Sequence, residues 1–523
     1  MERIMKTRTI VLCVSEMSPV LVRKWVDAGV LENIAGLMAR GVAGRTRYEV
    51  PFYLTPQMWA TITTGVSAGR HGVFDYYQRD QDGKVGITDG SVVAVPRFWD
   101  RMAERGVRPG VVNLPLTYPP RLHCGFMISG QDAPGDHVSI AKPEAFYHEL
   151  RKRFGRYHLK DVFPGGQDKE SYAALLSSEA GRQTEVFEAI AARDDWDFLM
   201  LYTSGIAMAQ HYFWAHLEAD EPRDPNRHVV RDAFLAVDRM VQTISAAAGP
   251  DANVFVVSEC GAGRLAKGVN LNAYLRHRGF LTFKSTATTA RTARRIERGL
   301  LTSIRARAQR HLPKRFFYWA NRSPLKKWIQ NRLASGAIDW LRTRAYHRGK
   351  GEGNIYFNMA GREPQGVVTE MERAALAKEV EASLLALEDE GGERPVVAVH
   401  RREKLYAGPF LEYAPDMIVE WRDAAYMPTE RNFEDEAIFG PRWREYMYWP
   451  TTGSHRPHGF FAAAGPDVSK RGSVDDIGLL DLAPTWLALS GLEVPPEMEG
   501  RARQDLLSDA PFPTVARKSA ERL

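Results

Sequence analysis

The chain has 523 residues, 44% of them hydrophobic, and its 70 Lys and Arg exceed its 64 Asp and Glu by six. A chain of this length buries a large core in one domain or in two to three ordinary ones, and so small a basic excess favours anionic ligands without demanding nucleic acid. Three scattered cysteines, Cys13, Cys124 and Cys260, argue against a disulfide framework and a C-x-x-C zinc site, which makes a reducing, cytoplasmic setting the simpler expectation.

The first apolar run, Ile10 to Val14, reads as a strand and is too short for a signal-peptide core or a membrane span. Ser18-Pro19 then reads as a helix cap with proline at the first helical position, followed by an apolar face of Leu21, Val22, Trp25 and Val26 and a stop at Gly29. Glu16 falls in the strand-to-helix loop. Thr55-Pro56 reads as a second cap and first turn, with the hydroxyl at the positive end of a helix, where a phosphate is also welcome. Further strands are expected at 110–112, 198–202, 254–257, 354–357, 416–419 and 459–464, with helical patterns between them. Apolar runs alternating with capped helices predict an α/β layered fold. The run V-F-V-V ends in Ser258-Glu259-Cys260-Gly261, so Glu259 and Cys260, like Glu16, stand where ligands collect in open α/β sheets, beyond the carboxyl ends of strands.

From Arg291 to Arg332 the chain carries thirteen Lys and Arg against one acid, Glu297, around the aromatic cluster F-F-Y-W at 316–319. This segment is expected to form a basic helical cap inserted at 285–345. The plain reading is a solvated helical pair; the sharper one is an anionic or peripheral membrane surface. Beyond Asp509 the residues read as a flexible tail, 509–523.

The most informative stretch is Leu54 to Asp75, L-T-P-Q-M-W-A-T-I-T-T-G-V-S-A-G-R-H-G-V-F-D. It resembles the type I phosphodiesterase/nucleotide pyrophosphatase branch of the alkaline phosphatase superfamily, whose nucleophilic threonine lies ten residues before the glycine of T-G-x-x-x-x-x-H-G; Thr55, Gly65 and His71-Gly72 match. The similarity continues through V-V-N-L-P-L-T-Y-P-P at 111–120, Q-H-Y-F-W at 210–214, V-N-L-N-A-Y-L at 269–275, I-Y-F-N-M-A-G-R-E-P-Q-G at 355–366, Y-A-P-D at 413–416, G-S-H-R-P-H-G at 453–459 and D-L-A-P-T-W-L-A-L-S-G at 481–491. The resemblance implies an alkaline phosphatase-like fold, a central mostly parallel sheet flanked by helices, as a single domain over 1–508 with the basic cap inserted. A sulfatase would need a C/S-x-P-x-R element, which Thr55-Pro56-Gln57 does not supply.

The same resemblance implies two divalent ions, usually zinc, clamping a phosphoryl group. At the first ion this chain offers Glu16, Thr55, Glu259 and Cys260 where the family has aspartate, threonine and an Asp-His pair. At the second it offers His211 and His455 but Ala207 in place of an aspartate, unless Ser204 or His458 contributes. One ion is therefore expected in preference to two, with a metal-free protein as the alternative. Thr55 is the expected nucleophile, and His211, His455 and Asn113 are expected to touch substrate. The implied activity is that of a phosphodiesterase or phosphotransferase acting on a small-molecule or lipid-linked phosphate ester, with no specific nucleic acid. The alternative is a non-catalytic binding or regulatory module on the same fold, since the substitutions fall selectively at metal positions.

Overall fold

The computed structural model describes residues 7–51, 53–79, 85–133, 138–155, 168–284, 338–348, 353–429, 437–442 and 449–508. The cap expected at 285–345 lies outside the described residues but for its last few, and the tail at 509–523 lies outside them entirely. Where the chain leaves and returns, Phe283 and Ile338 pair in an antiparallel bridge.

A ten-stranded sheet forms the centre. Its order is Gly472–Ser473, Val42–Arg47, His458–Ala464, Asn253–Val257, Thr9–Val14, Phe198–Thr203, Pro109–Val112, Phe126–Ile128 and Ala141–Lys142, with Ile477–Gly478 also paired to Val42–Arg47. Thr9–Val14 runs parallel to both neighbours, with Cys13 opposite Tyr202 on one side and Val257 on the other. Alternate side chains point to opposite faces and both faces are covered: Ile10, Leu12 and Val14 join one apolar cluster and Val11 and Cys13 the other. This is why the first strand reads as an unbroken apolar run. Helices Pro19–Asp27, Glu32–Arg40, Lys169–Ala191, Gly205–Ala219 and Val229–Ala248 cover the first face; Thr55–Thr64, Phe98–Glu104 and Leu479–Leu489 cover the second.

The expected strands all form, but two of them, Asn354–Phe357 and Met417–Trp421, belong to a separate antiparallel four-stranded sheet with its own core. That sheet joins two of the sequence blocks. Arg362 forks onto Asp416, Nη1 to Oδ1 at 3.0 Å and Nη2 to Oδ2 at 2.6 Å, and the Phe357 N–H donates to Asp416 Oδ2 at 2.8 Å. Val42–Arg47 escapes a sequence reading because V-A-G-R-T-R has no apolar run; its pairing with His458–Ala464, and the parallel strands Gly472–Ser473 and Ile477–Gly478 beyond it, settle its place.

One strand direction matters for function. His458–Ala464 runs antiparallel to both Val42–Arg47 and Asn253–Val257, so those two run the same way as the first strand. The carboxyl ends of the parallel strands therefore share an edge with the amino end of His458–Ala464.

Candidate active site

Most of the residues singled out in the sequence lie at that edge or on an element that starts there. Glu16 follows Val14, Asn113 follows Val112, Glu259 and Cys260 follow Val257, and Ser204 after Thr203 leads into the helix carrying His211. His455 sits in the short strand Gly453–Arg456 just before the antiparallel one, paired opposite Ala262. All are buried, Glu16 being 3% exposed, His211 1% and His455 6%.

Thr55 begins the helix Thr55–Thr64, with Leu54 rather than Thr55 in the cap position. The hydroxyl thus sits in the first turn, still at the positive end of the dipole. Gly65, at φ 67°, ends this helix in the left-handed conformation that glycine adopts without strain. His71 is committed elsewhere in this block. Its Nδ1 accepts from the Val73 N–H at 3.1 Å, which leaves Nε2–H to donate to Thr61 Oγ1 at 3.1 Å. Burial, then the charge of Arg97, push its pKa down to about 3, so it is neutral and structural.

The centre of the site is Glu16. Among the described residues, Glu16, His211 and His455 are the group of His, Cys, Asp and Glu side chains whose ligating atoms all lie within 4.8 Å of one another. Glu16 Oε1 is 3.1 Å from His211 Nε2 and 3.0 Å from His455 Nε2. The other ring nitrogen of His211, Nδ1, donates to the Gly453 carbonyl at 3.1 Å, so the neutral ring turns the lone pair of Nε2 toward a carboxylate oxygen. Two such electron pairs repel unless a proton or a cation lies between them. Glu16 Oε2 is buried without a partner. Burial would raise the Glu16 pKa, but the two imidazoles outweigh it and hold the carboxyl well below its usual range. One carboxylate with two imidazoles, one of them anchored through its far nitrogen, is the donor set of a three-ligand zinc site with a position open to water or substrate. The residues present fit one divalent ion.

This grouping differs from the one the sequence implied. Glu16 is expected with Thr55, Glu259 and Cys260, and the imidazoles are expected to lack a carboxylate because position 207 is alanine; instead Glu16 itself turns to the imidazoles. Ala207 is packed in the apolar cluster beneath them. Glu259 faces the chain beside Glu16: Ser15 Oγ donates to Oε1 at 2.7 Å and the Glu16 N–H approaches Oε2 at 3.4 Å. Burial, opposed by the Ser15 hydrogen bond and reinforced by Glu16, raises the Glu259 pKa to about 7. Cys260 is fully buried in the apolar cluster that also holds Leu54, Met58 and Phe461. His458 stands 3.4 Å from Asp476 through Nδ1 and is not one of the grouped ligands.

Asn113 is buried and adopts φ 65°, a left-handed conformation that asparagine tolerates better than most residues. Its N–H donates to the Ile128 carbonyl at 2.9 Å, continuing the register of the preceding strand. Three residues that the sequence reading passes over complete the site. Ser15 holds Glu259, Gln210 Nε2 donates to the Glu16 carbonyl at 2.7 Å, and Gly453 lets two backbones meet, since a Cβ there would lie 2.2 Å from the Gln210 carbonyl oxygen. Gln210 and Gly453 stand inside recognisable blocks; nothing in sequence marks Ser15. No described helix is long and apolar enough to cross a membrane.

Comparison with one solved structure supports the fold. The chain aligns with phosphonoacetate hydrolase of Sinorhizobium meliloti 1021, in complex with phosphonoacetate, at 14% identity and a TM-score of 0.53, over 92% of this chain and 94% of that one. Human ectonucleotide pyrophosphatase/phosphodiesterase 5 aligns at 13% identity and a TM-score of 0.48, over 96% and 100%. No curated protein matches the sequence. The family model for type I phosphodiesterase/nucleotide pyrophosphatase matches residues 9–460, a span that contains the strand-end acids, Thr55 and both imidazoles. By this match over most of its length, the chain belongs to the type I phosphodiesterase/nucleotide pyrophosphatase family.

Proposed function

We propose that the protein cleaves a small phosphate diester or pyrophosphate, using Thr55 as nucleophile beside a single divalent ion, zinc in the first instance, held by Glu16, His211 and His455. The observation that carries this reading is the single Glu16 oxygen placed 3.0–3.1 Å from two imidazole nitrogens, with its twin oxygen buried and unpartnered. A bound divalent ion would supply positive charge to the phosphoryl oxygens and lower the pKa of a water.

The chain's own residues have the remaining roles. The Thr55 oxygen attacks phosphorus from the first turn of its helix, where the dipole favours the incoming anion, its proton passing to solvent as the P–O bond to the departing alcohol or phosphate breaks; water then cleaves the Thr55 phosphoester. Asn113 donates its amide to a phosphoryl oxygen. Glu259, with its pKa near 7, holds a proton near neutrality and can accept or release one. The substituted positions at Ala207 and Cys260 set this site apart from a two-ion centre. They also motivate the second reading, a module that binds the phosphate ester without cleaving it.

The test measures zinc per chain and hydrolysis of bis(p-nitrophenyl) phosphate by the wild type and by Thr55→Ala. About one ion per chain, with cleavage lost in Thr55→Ala, supports the proposal. Cleavage surviving in Thr55→Ala sinks the nucleophile, and cleavage by metal-free protein sinks the ion. A zinc-loaded protein that binds phosphate esters and cleaves none favours the binding module.

A further inference from the structure

We infer that Gln210 is a positioning residue for the ion site: its side-chain amide holds Glu16 in the backbone conformation that aims the carboxylate at His211 and His455. This rests on the ion-binding reading above and deepens it.

Glu16 has φ 59°, in the left-handed region that is unfavourable for a residue with a Cβ. Such a conformation persists only where the surroundings fix it. Around the Ser15-Glu16-Met17 turn, the Ser15 N–H donates to the Thr203 carbonyl at 2.9 Å and the Met17 N–H to Ser258 Oγ at 2.8 Å. At Glu16 itself two contacts act, the long 3.4 Å approach of its N–H to Glu259 Oε2 and the 2.7 Å bond from Gln210 Nε2 to its carbonyl. Gln210 supplies the shorter one.

The next residue along the helix is His211. Two consecutive side chains of one rigid element therefore meet Glu16 at both ends, Gln210 at the carbonyl and His211 at the carboxylate. The helix is located in turn by Gly453, whose backbone lies against the Gln210 carbonyl and whose own carbonyl accepts from His211 Nδ1. Stability alone is poorly served by this glutamine. It is fully buried and its Oε1 has no partner, an arrangement less favourable than a satisfied amide. A methionine of similar length would avoid that cost, and only the bond to Glu16 would be lost.

The experiment compares wild type, Gln210→Met and Gln210→Asn, the latter keeping an amide one methylene too short to reach. Zinc affinity is read by competition with a chromogenic chelator, and the Tm of the metal-free protein is read separately. The expected result is zinc binding weakened by about 10–100-fold in both variants, the usual effect of removing a support behind a metal ligand, with the metal-free Tm of Gln210→Met unchanged or raised. Zinc affinity equal to wild type in either folded variant overturns the inference. A lowered metal-free Tm with unchanged affinity also overturns it, because Gln210 would then be structural only. Should Gln210→Met fail to fold, Gln210→Asn carries the same comparison. A wild type that takes no zinc overturns the ion-binding reading and this inference with it, which separates that failure from the others.

Discussion

The backbone N–H of Glu16 faces the carboxyl of Glu259 at 3.4 Å, so two fully buried acids are neighbours whose oxygens are turned to different partners. Glu16 looks to the imidazoles and Glu259 to the Ser15 hydroxyl. The division of labour is testable by separating the two acids. Glu16→Gln should reduce tightly bound zinc from about one per chain to none, because an amide oxygen is a weak ligand for zinc beside two neutral imidazoles. Glu259→Gln should leave the zinc count unchanged, since its Oε1 still accepts from Ser15. Elemental analysis of both variants decides; loss of zinc in Glu259→Gln would restore the grouping of Glu259 with the ion.

Ala207 offers a second test. It is packed in the apolar cluster under His211, and Ala207→Asp places a carboxylate four residues before that imidazole, on the same helical face. In metal-free protein the new acid has no cation to meet, so the Tm should fall, by an amount set by an uncompensated buried charge on the order of 3 kcal/mol. Saturating zinc should then raise the Tm more than it does in wild type. Equal zinc-induced shifts in the two proteins would show that the new carboxylate does not reach the site.

Acid should weaken the fold through its buried neutral histidines. His347 donates from Nδ1 to the Asn354 carbonyl at 2.8 Å, and burial, which that hydrogen bond only partly opposes, lowers its pKa to about 4. In the unfolded chain it titrates near 6.5, so below that pH the unfolded state binds the proton first. Its stabilising contribution is complete above pH 6.5 and is lost as the pH falls toward 4, up to about 3 kcal/mol. His71 acts in the same direction with its pKa near 3. Urea midpoints measured from pH 7.5 to 4.5 should fall for wild type and fall less steeply for His347→Asn. Parallel curves would refute the assignment.

Arg362 and Asp416, a pair outside the Glu16 group, supply a contrast. Asp416 is 2% exposed and accepts from both the Arg362 fork and the Phe357 N–H. Arg362→Met removes the principal fork but leaves Arg402 at 3.6 Å and Arg373 at 3.8 Å from the carboxylate, so the cost should fall below the roughly 3–5 kcal/mol of an uncompensated buried charge. The expected outcome is a lowered midpoint of unfolding with the zinc affinity of the folded protein unaltered. A weaker zinc site would mean that the two sheets are coupled through this pair.

How much of this was legible in sequence follows from what kind of interaction each residue makes. Asn113, Glu16 and Glu259 each follow an apolar run, and the rule that ligands gather beyond parallel strand ends marks all three from sequence. Motif spacing found His211 and His455. The partner of the imidazoles was not legible. It depends on one left-handed residue and on an amide reaching Glu16 from 194 positions away, and neither leaves a periodic or compositional trace. Cys260 shows the converse: a residue type that binds zinc well, at a matched position, lies fully buried in an apolar cluster. The Val42–Arg47 strand was hidden for a related reason, since its pairing partners and not its own residues define it.

The antiparallel strand that carries the chain back into the sheet has a consequence for how the site comes into being. His455 meets Glu16 across 439 positions of sequence, and His211 meets it across 195. Contacts of such separation carry a large loop-closure entropy and form late in folding. Nascent or partly folded chains therefore hold the three side chains apart, and the proposed ion site is complete only once the strand Gly453–Arg456 has been brought to the end of Thr9–Val14. Metal uptake during refolding is on this basis a clock for the closing of the central sheet.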